Sequence, residues 1–545
     1  MAVVVSAAVV ASVVIAHAGR GLSFHFDDEW LMITQRRDLS LDDVLQPHGS
    51  HLMAIPVLIY NVLFRTVGLR SYVPYQTVLA ALHLLVCGLL FAYLRRCASV
   101  WYAAGATVIL LFLGTAWQDI LWAFQMQYLL SLATGLTALL LLERRTRGGD
   151  ALALVALVAS AASSGAGLVF LLGAVVELAW SAADRRRLWV PLVPVALWGA
   201  WYVTLGSTRG TTDNLVHTPG YVVDEAGATM AALTGSSQTV GVVLATVLTV
   251  GLVVAVVRAW PIDGRFAACI AMVFGLWVLL AYGRDLRVPT TEGRYTYLGA
   301  VVVFLLGAEV LATWKPWRLP TPVKAATAAV LVAVLGVSVW VNVEHLHDGA
   351  DEMRFAAMQY RVGWSALALA GPGIVRSAQV SYLPESHLLT AGSVLDAVHD
   401  LDYPLLDRDE LLALGADWRI GADYQLAYAS GLQDRDPHGR AVGGALPIAA
   451  GGGTLTSTPG ACVTVEPTDG TARLLLHGDG ISTRVEPGDA PVEVRVRVVA
   501  DAFTDFPSET LQSRRARLVQ LHPIDLGPWD VELRSRGEFR VCPVT

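Results

Sequence analysis

Charge is what this sequence has least of. Only 16% of its 545 residues are Asp, Glu, Lys or Arg, against roughly 25% in an average soluble domain. Mean hydropathy is +0.52. That scarcity excludes an ordinary soluble enzyme, and 54% apolar residues exclude intrinsic disorder. Lysine is nearly missing: of 39 basic residues only Lys315 and Lys324 are Lys. No basic patch forms, so a nucleic-acid partner is excluded. Five cysteines without a CxxC pair are too few for a disulfide scaffold. Cys87, Cys97 and Cys269 lie in or beside apolar runs, where a free thiol behaves as a small hydrophobe. A Walker loop, a dinucleotide fingerprint, a GxSxG elbow and a zincin motif are all absent.

The shortage of charge is uneven. Residues 1–345 carry 22 Lys+Arg against 19 Asp+Glu, whereas residues 346–545 carry 17 against 27. The first part is therefore nearly neutral with long apolar runs, and the second has a globular composition. Runs of about 20 apolar residues can cross a bilayer. They fall near 1–18, 72–94, 98–116, 121–142, 151–163, 168–180, 188–205, 238–257, 266–282, 295–313 and 322–341. Basic residues collect at Arg95-Arg96, at Arg144, Arg145 and Arg147, at Arg185-Arg186-Arg187, at Arg258 with Arg265, and at Lys315, Arg318 and Lys324. With all five clusters inside, as the positive-inside tendency demands, each interval holds two spans, and the SSGAG break at 163–167 divides the short pair. This predicts a polytopic α-helical membrane protein of about eleven transmembrane helices in the plasma membrane, N-terminus cytoplasmic and C-terminal part extracytoplasmic.

Residues 52–69 are also long enough to cross, but counting them would turn every Arg cluster outward. Pro56, Asn61 and Arg65 suit a helix lying in the interface, so 19–71 reads as an external loop carrying an interfacial helix. The first run begins at Met1 without a basic n-region, and no A-x-A site precedes Arg20. It reads as a retained span, with a start further upstream left open.

From about 443 the pattern changes to period two: TARLLLHGDG, PVEVRVRVV, RARLVQLHPI and WDVELRSRGEFRVC, parted by Gly, Pro and Asp turns. That predicts a β-sandwich over 443–545, joined to the membrane part by mixed helix and loop over 346–442. Cys462 and Cys542 lie near its start and end, and outside the cytosol a disulfide between them is expected.

Candidate chemistry sits where external loops meet span ends. Phe24-His25-Phe26-Asp27-Asp28-Glu29-Trp30 puts three carboxylates among aromatics after the first span. Its plainest reading is a solvated acidic loop. Against that, the aromatics draw the acids to the interface, where desolvation is costly without a task. A carboxylate so placed can take the proton of an attacking hydroxyl; Asp27, Asp28 and Glu29 together can also hold a divalent cation, although no cofactor is required. His48 and His51 can contact phosphate, ligate a metal or cap the interfacial helix. In Trp117–Tyr128, Gln118, Asp119 and Trp122 offer the amide, acid and ring groups of sugar sites, beyond what an interfacial aromatic belt explains. Arg287 and Arg294 lie on the outer side, where charge bias gives them no reason to be; a lipid-phosphate headgroup gives one. The segment 206–237 reads as a long polar loop able to close over a substrate.

The order of these features resembles the GT-C superfamily of polyprenyl-phosphate-dependent membrane glycosyltransferases. In that family an acidic motif follows the first span, and FDDEW at 26–30 is similar to it. The resemblance implies Asp27 as catalytic base with Asp28 next, Asp119 as a second acid, and Arg294-Tyr295 near the donor phosphate, with Arg287 or His48 assisting. Glu29, Trp30, His51, Gln118, Trp122 and Tyr295 would line the substrates. It further implies a polyprenyl-phosphate sugar donor, a cell-envelope glycan, lipid or protein acceptor, and inversion at the anomeric carbon. The strand pattern of the C-terminal region resembles carbohydrate-binding modules. No motif names the sugar. A transporter or flippase of lipid-linked glycans would instead place its ionisable groups at mid-membrane, and a non-catalytic scaffold displaying a sugar-binding domain would need fewer spans.

Overall fold

The computed structural model describes residues 1–206, 214–283, 293–313, 320–380, 389–432, 448–450, 453–456, 462–467, 470–504 and 508–543. Two compact units emerge. The first comprises Met1–Leu22, Asp38–Thr66 and Ser71–Arg354; the second comprises Ser23–Arg37, Val67–Arg70 and Phe355–Thr545.

The first unit is helical: α1 (Ala2–Ala18), then, after a helix α2 (Asp27–Gln35) that belongs to the second unit, α3 (Leu41–Leu45), α4 (Ala54–Thr66), α5 (Val73–Cys97), α6 (Val100–Leu111), α7 (Trp117–Leu121), α8 (Met126–Leu142), α9 (Arg147–Ala161) and α10 (Gly167–Trp180). It continues with α11 (Trp189–Thr204), α12 (Asn214–Thr234), α13 (Gln238–Ala259), α14 (Gly264–Gly283), α15 (Gly293–Ala312) and the start of α16 (Thr321–Leu369). Each of the eleven expected spans is a helix. By length and apolarity six of the described ones can cross a membrane: α5, Ala123–Leu142, α13, α14, α15 and α16. Helix α6 with Gly114–Leu121 makes a seventh, bent by 45°. The chain is a multi-pass membrane protein. The shorter α1, α9, α10 and α11 have 17, 15, 14 and 16 residues. At 1.5 Å per residue they fall short of a hydrocarbon core of about 30 Å.

Three expectations change. The span expected over 98–116 ends at Leu111, and the chain restarts at Gly114. Segment 206–237 is not a loop: Asn214–Thr234 forms α12, on whose Gly227 and Ala231 the Gly241 backbone of α13 rests so closely that a Cβ there would come within 2.0 Å of the Gly227 carbonyl oxygen. The first residues of that segment, 207–213, lie outside the described residues. Finally, α16 does not stop near 341 but runs on to Leu369. The interfacial helix expected over 52–69 appears as α4, thirteen residues long.

Four Arg clusters meet at one end of the bundle. Glu143 pairs with Arg96 (2.5 Å) and Arg265 (2.6 Å), Arg145 with Asp184 (3.1 Å), and Arg187 with Asp150 (2.6 Å). Spans that return their basic ends to one another must alternate in direction, as hairpins do.

The second unit holds α2, the end of α16, α17 (Ala391–Asp400), α18 (Arg408–Leu412) and α19 (Ala416–Ala427). Ten strands follow: β1 (Ile448–Ala450), β2 (Gly453–Thr456), β3 (Val463–Pro467), β4 (Ala472–Gly478), β5 (Ile481–Pro487), β6 (Val492–Arg497), β7 (Glu509–Leu511), β8 (Arg517–Leu521), β9 (Trp529–Ser535) and β10 (Phe539–Pro543). They form two five-stranded antiparallel sheets, ordered β1-β4-β9-β6-β7 and β2-β3-β10-β5-β8. Alternate residues are buried along each central strand, such as Trp529, Val531 and Leu533 in one sheet and Ile481, Thr483 and Val485 in the other. That is the one-face burial of period-two sequence. A disulfide joins Cys462 and Cys542. The buried Asp423 of α19 accepts the backbone N–H groups of Val498, Val499 and Ala500 at 2.8–3.0 Å, which fastens the helix to the chain leaving β6.

Candidate functional site

In the first unit the site is built around the break between α6 and α7. A helix that stops inside a bundle leaves backbone groups unsatisfied, and neighbouring helices satisfy these. His83 of α5 lies 3.3 Å from the Leu111 carbonyl oxygen through Nε2, while its Nδ1 meets the Tyr297 hydroxyl at 2.8 Å. Asn342 of α16 accepts the Thr115 N–H (3.0 Å) and hydroxyl (3.1 Å), and donates to the carbonyls of Ala232 and Ser338. Close approach is set by glycine: a Cβ on Gly114 would come within 1.6 Å of the Asn342 carbonyl oxygen, and one on Gly349 within 2.1 Å of the Trp117 ring.

So fixed, α7 presents Gln118 and Asp119. Gln118 accepts the backbone N–H of Arg294 through Oε1 at 3.1 Å, which ties α7 to the first turn of α15. Asp119 is fully buried, and neither carboxylate oxygen has a hydrogen-bond partner among the described residues. Its electrostatic partner is Arg294, whose guanidinium also lies over the Tyr295 ring at 5.2 Å. A buried carboxylate left without donors is costly, and such groups persist where a ligand completes them. Trp122 is buried and stacks on Phe124, and Phe124 touches the His48 ring at 5.2 Å. His48 and His51 exchange backbone hydrogen bonds at 3.0 and 3.1 Å in a tight turn. The His51 ring rests on Gly165, where a Cβ would come within 2.6 Å of its Nδ1.

Beside that turn lies a cleft of about 190 Å³. Leu168, Leu276, Leu279, Leu280 and Leu298 wall it, and Ser50, His51, Tyr128, Tyr282 and Tyr295 give it polar edges. Composition alone does not pick out Trp198, Tyr202 and Tyr282, which line it as well, because aromatics at span ends read as an interfacial belt.

In the second unit the acidic motif opens α2, where Asp27, Asp28 and Glu29 complement the helix N-terminus. The residue before them, Phe26, has φ +60°, a conformation that a non-glycine side chain holds only when its surroundings enforce it. Asp27 is buried and accepts the Tyr360 hydroxyl at Oδ1, 2.7 Å away. Glu29 is buried and accepts the His25 backbone N–H at 3.3 Å, while Asp28 is half-buried. Trp30 corrects an expectation: instead of offering its ring to a sugar, it is wholly buried among Tyr360, Trp364 and Tyr403.

The named residues thus divide. His48, His51, Gln118, Asp119, Trp122, Arg294 and Tyr295 belong to the first unit, and Asp27, Asp28, Glu29 and Trp30 to the second. Arg287 lies outside the described residues. Among the described residues no three His, Cys, Asp or Glu side chains converge as a metal site.

No protein-family model matches the sequence, and neither does any curated protein. Among solved structures, the chain is similar to ArnT from Cupriavidus metallidurans in the apo state, with 15% identity over 75% of this chain and 86% of that one, and a TM-score of 0.46. It is also similar to the Archaeoglobus fulgidus oligosaccharyltransferase in complex with Zn and sulfate, with 14% identity over 67% of this chain and 55% of that one, and a TM-score of 0.40. Both fall within the GT-C superfamily that the sequence resembles. Likeness at this level matches no residue of this chain to a functional residue of either protein.

Proposed function

We propose that this chain is an inverting membrane glycosyltransferase. It moves a sugar from a polyprenyl-phosphate donor to a cell-envelope glycan, lipid or protein acceptor on the extracytoplasmic side. The observation that carries this reading is the leucine-walled cleft among membrane helices, edged by His51 and three tyrosines. An isoprenoid phosphate is apolar along its chain and anionic at its head, and such a cleft suits both parts. Arg294, beside Tyr295 of that edge, supplies the charge that phosphate needs. In this reading Asp27 removes the proton of an acceptor hydroxyl, which attacks the anomeric carbon from the face opposite the phosphate. The lipid phosphate leaves already ionised, so no strong general acid is required.

The test is transfer from a synthetic polyprenyl-phosphate sugar in nanodiscs, measured alongside donor binding. Asp27→Asn keeps shape but not basicity, and general-base loss lowers rate about 10²–10⁴-fold; donor binding should hold. Arg294→Ala should lose donor binding first. Near wild-type turnover in both Asp27→Asn and Asp28→Asn would overturn the catalytic reading and favour a transporter or scaffold.

A further inference from the structure

The hydroxyl of Tyr360 reaches Asp27 from 333 residues away in the sequence, and nothing local in the acidic motif announces it. Its O–H donates to Asp27 Oδ1 at 2.7 Å, within the range of a charge-assisted bond. Both side chains are almost wholly buried, 1% exposed for Asp27 and 3% for Tyr360. The ring that carries the hydroxyl is held from two sides. Trp30, three residues after Asp27 on α2, stacks parallel to it at 6.5 Å with 10° between planes, and Trp364, one turn along α16, meets it edge-on at 5.6 Å. Tyr403 and Trp364 in turn pack edge-on against Trp30. The α16 turn that bears Tyr360 is anchored as well: Arg361 donates to the Pro404 carbonyl, and Ser365 accepts the Leu406 N–H. A tyrosine needed only for packing would not require its hydroxyl aimed at a buried carboxylate.

We infer that Tyr360 is the positioning residue for Asp27, fixing one carboxylate oxygen by hydrogen bond so that the other is aimed as the base toward an acceptor hydroxyl. This rests on the glycosyltransferase reading above. A hydroxyl donated to a carboxylate favours its ionised form, so the bond also keeps Asp27 a proton acceptor at lower pH. Other titratable groups near this place are His25, Asp28 and Glu29 beside it in sequence and Tyr403 against Trp30. From α17, which packs on α2, come Asp396, paired with Arg376, and Asp400, paired with Arg37.

The experiment is the pH dependence of kcat/KM and of kcat for the full-length protein in nanodiscs, with the donor used above, for wild type, Tyr360→Phe, Trp364→Phe and Asp27→Asn. Tyr360→Phe removes one oxygen and keeps the ring. Its acid limb should move up by about one pH unit and its kcat fall roughly tenfold, with donor affinity and thermal midpoint near wild type. Trp364→Phe disturbs the same aromatic cluster without touching the hydroxyl, and should leave the acid limb in place. An active Asp27→Asn overturns the catalytic reading itself. An inactive Asp27→Asn with a Tyr360→Phe profile superimposed on wild type overturns the positioning role alone. So does a Trp364→Phe limb that moves as far as the Tyr360→Phe limb, or a Tyr360→Phe chain that does not fold, since either makes the contact structural.

Discussion

His25 stands two residues before Asp27, wholly buried, with Nδ1 3.0 Å from the Ser23 carbonyl oxygen. A carbonyl only accepts, so that nitrogen bears the hydrogen of the ring. Burial pushes the imidazole down from 6.5 to about 4, and the Ser23 carbonyl only partly opposes this. An unfolded chain takes up a proton near pH 6.5 that the folded chain refuses until about 4. The resulting stability is full above 6.5 and declines as pH falls through that window, by roughly 3 kcal/mol for the one group. Melting of the detergent-solubilised protein at pH 7.5 and 4.5 should therefore show a difference that shrinks in His25→Gln, whose amide can still donate to Ser23. Equal acid losses in the two proteins would remove His25 as the cause. At this scale the sequence shows which residues carry chemistry, because aromatics next to acids after a span are unusual. It does not show their surroundings. Trp30 looks like a sugar platform until α16 brings Tyr360 and Trp364 against it, and Asp27 looks solvated until Tyr360 reaches it.

Helix α7 owes its place to one side chain on another element. Asn342, 1% exposed, uses both ends of its amide: Oδ1 accepts twice from Thr115, and Nδ2 donates to Ala232 and Ser338. Asn342→Leu would leave the buried Thr115 N–H and the Ala232 carbonyl without these partners, at about 1–3 kcal/mol each. The expected result is a lower thermal midpoint together with lost transfer, since Gln118 and Asp119 hang on this turn; Asn342→Asp, which keeps the acceptor, should recover part of both. A stable, active Asn342→Leu would mean the break holds itself. Hydropathy predicted a single span here because Leu110 to Leu113 are apolar throughout and the break is made by distant partners. The same limit hid α12. Its first turn is polar and carries Pro219, and its buried stretch is Gly, Ala and Thr, which give close packing rather than hydropathy. Periodicity reads strongly amphipathic elements well, and so the β-strands after 443 were legible while a helix built on small residues was not.

Across the whole molecule, orientation and redox state make a single joint prediction. The ion pairs of Glu143, Asp150 and Asp184 gather four Arg clusters at one end of the helical unit, and acidic partners do not offset the preference of Lys and Arg for the cytoplasmic side. With that end inside, a chain that crosses an odd number of times from a cytoplasmic N-terminus leaves its C-terminal sheets outside, where disulfides persist. The Cys462–Cys542 bond closes a separation of 80 residues, for which chain entropy gives about 4 kcal/mol; Cys87, Cys97 and Cys269 remain thiols. A periplasm-dependent reporter fused at the C-terminus should be active, and the same reporter fused after Arg145 silent. Peptide mapping without reductant should recover the linked Cys462 and Cys542 peptides, and reductant should lower the melting temperature of the second unit. The two measurements are independent. A silent C-terminal reporter with free thiols at both positions would invert the topology, placing Asp27 and Arg294 on the cytoplasmic side and removing the lipid-phosphate donor of the outer leaflet from reach.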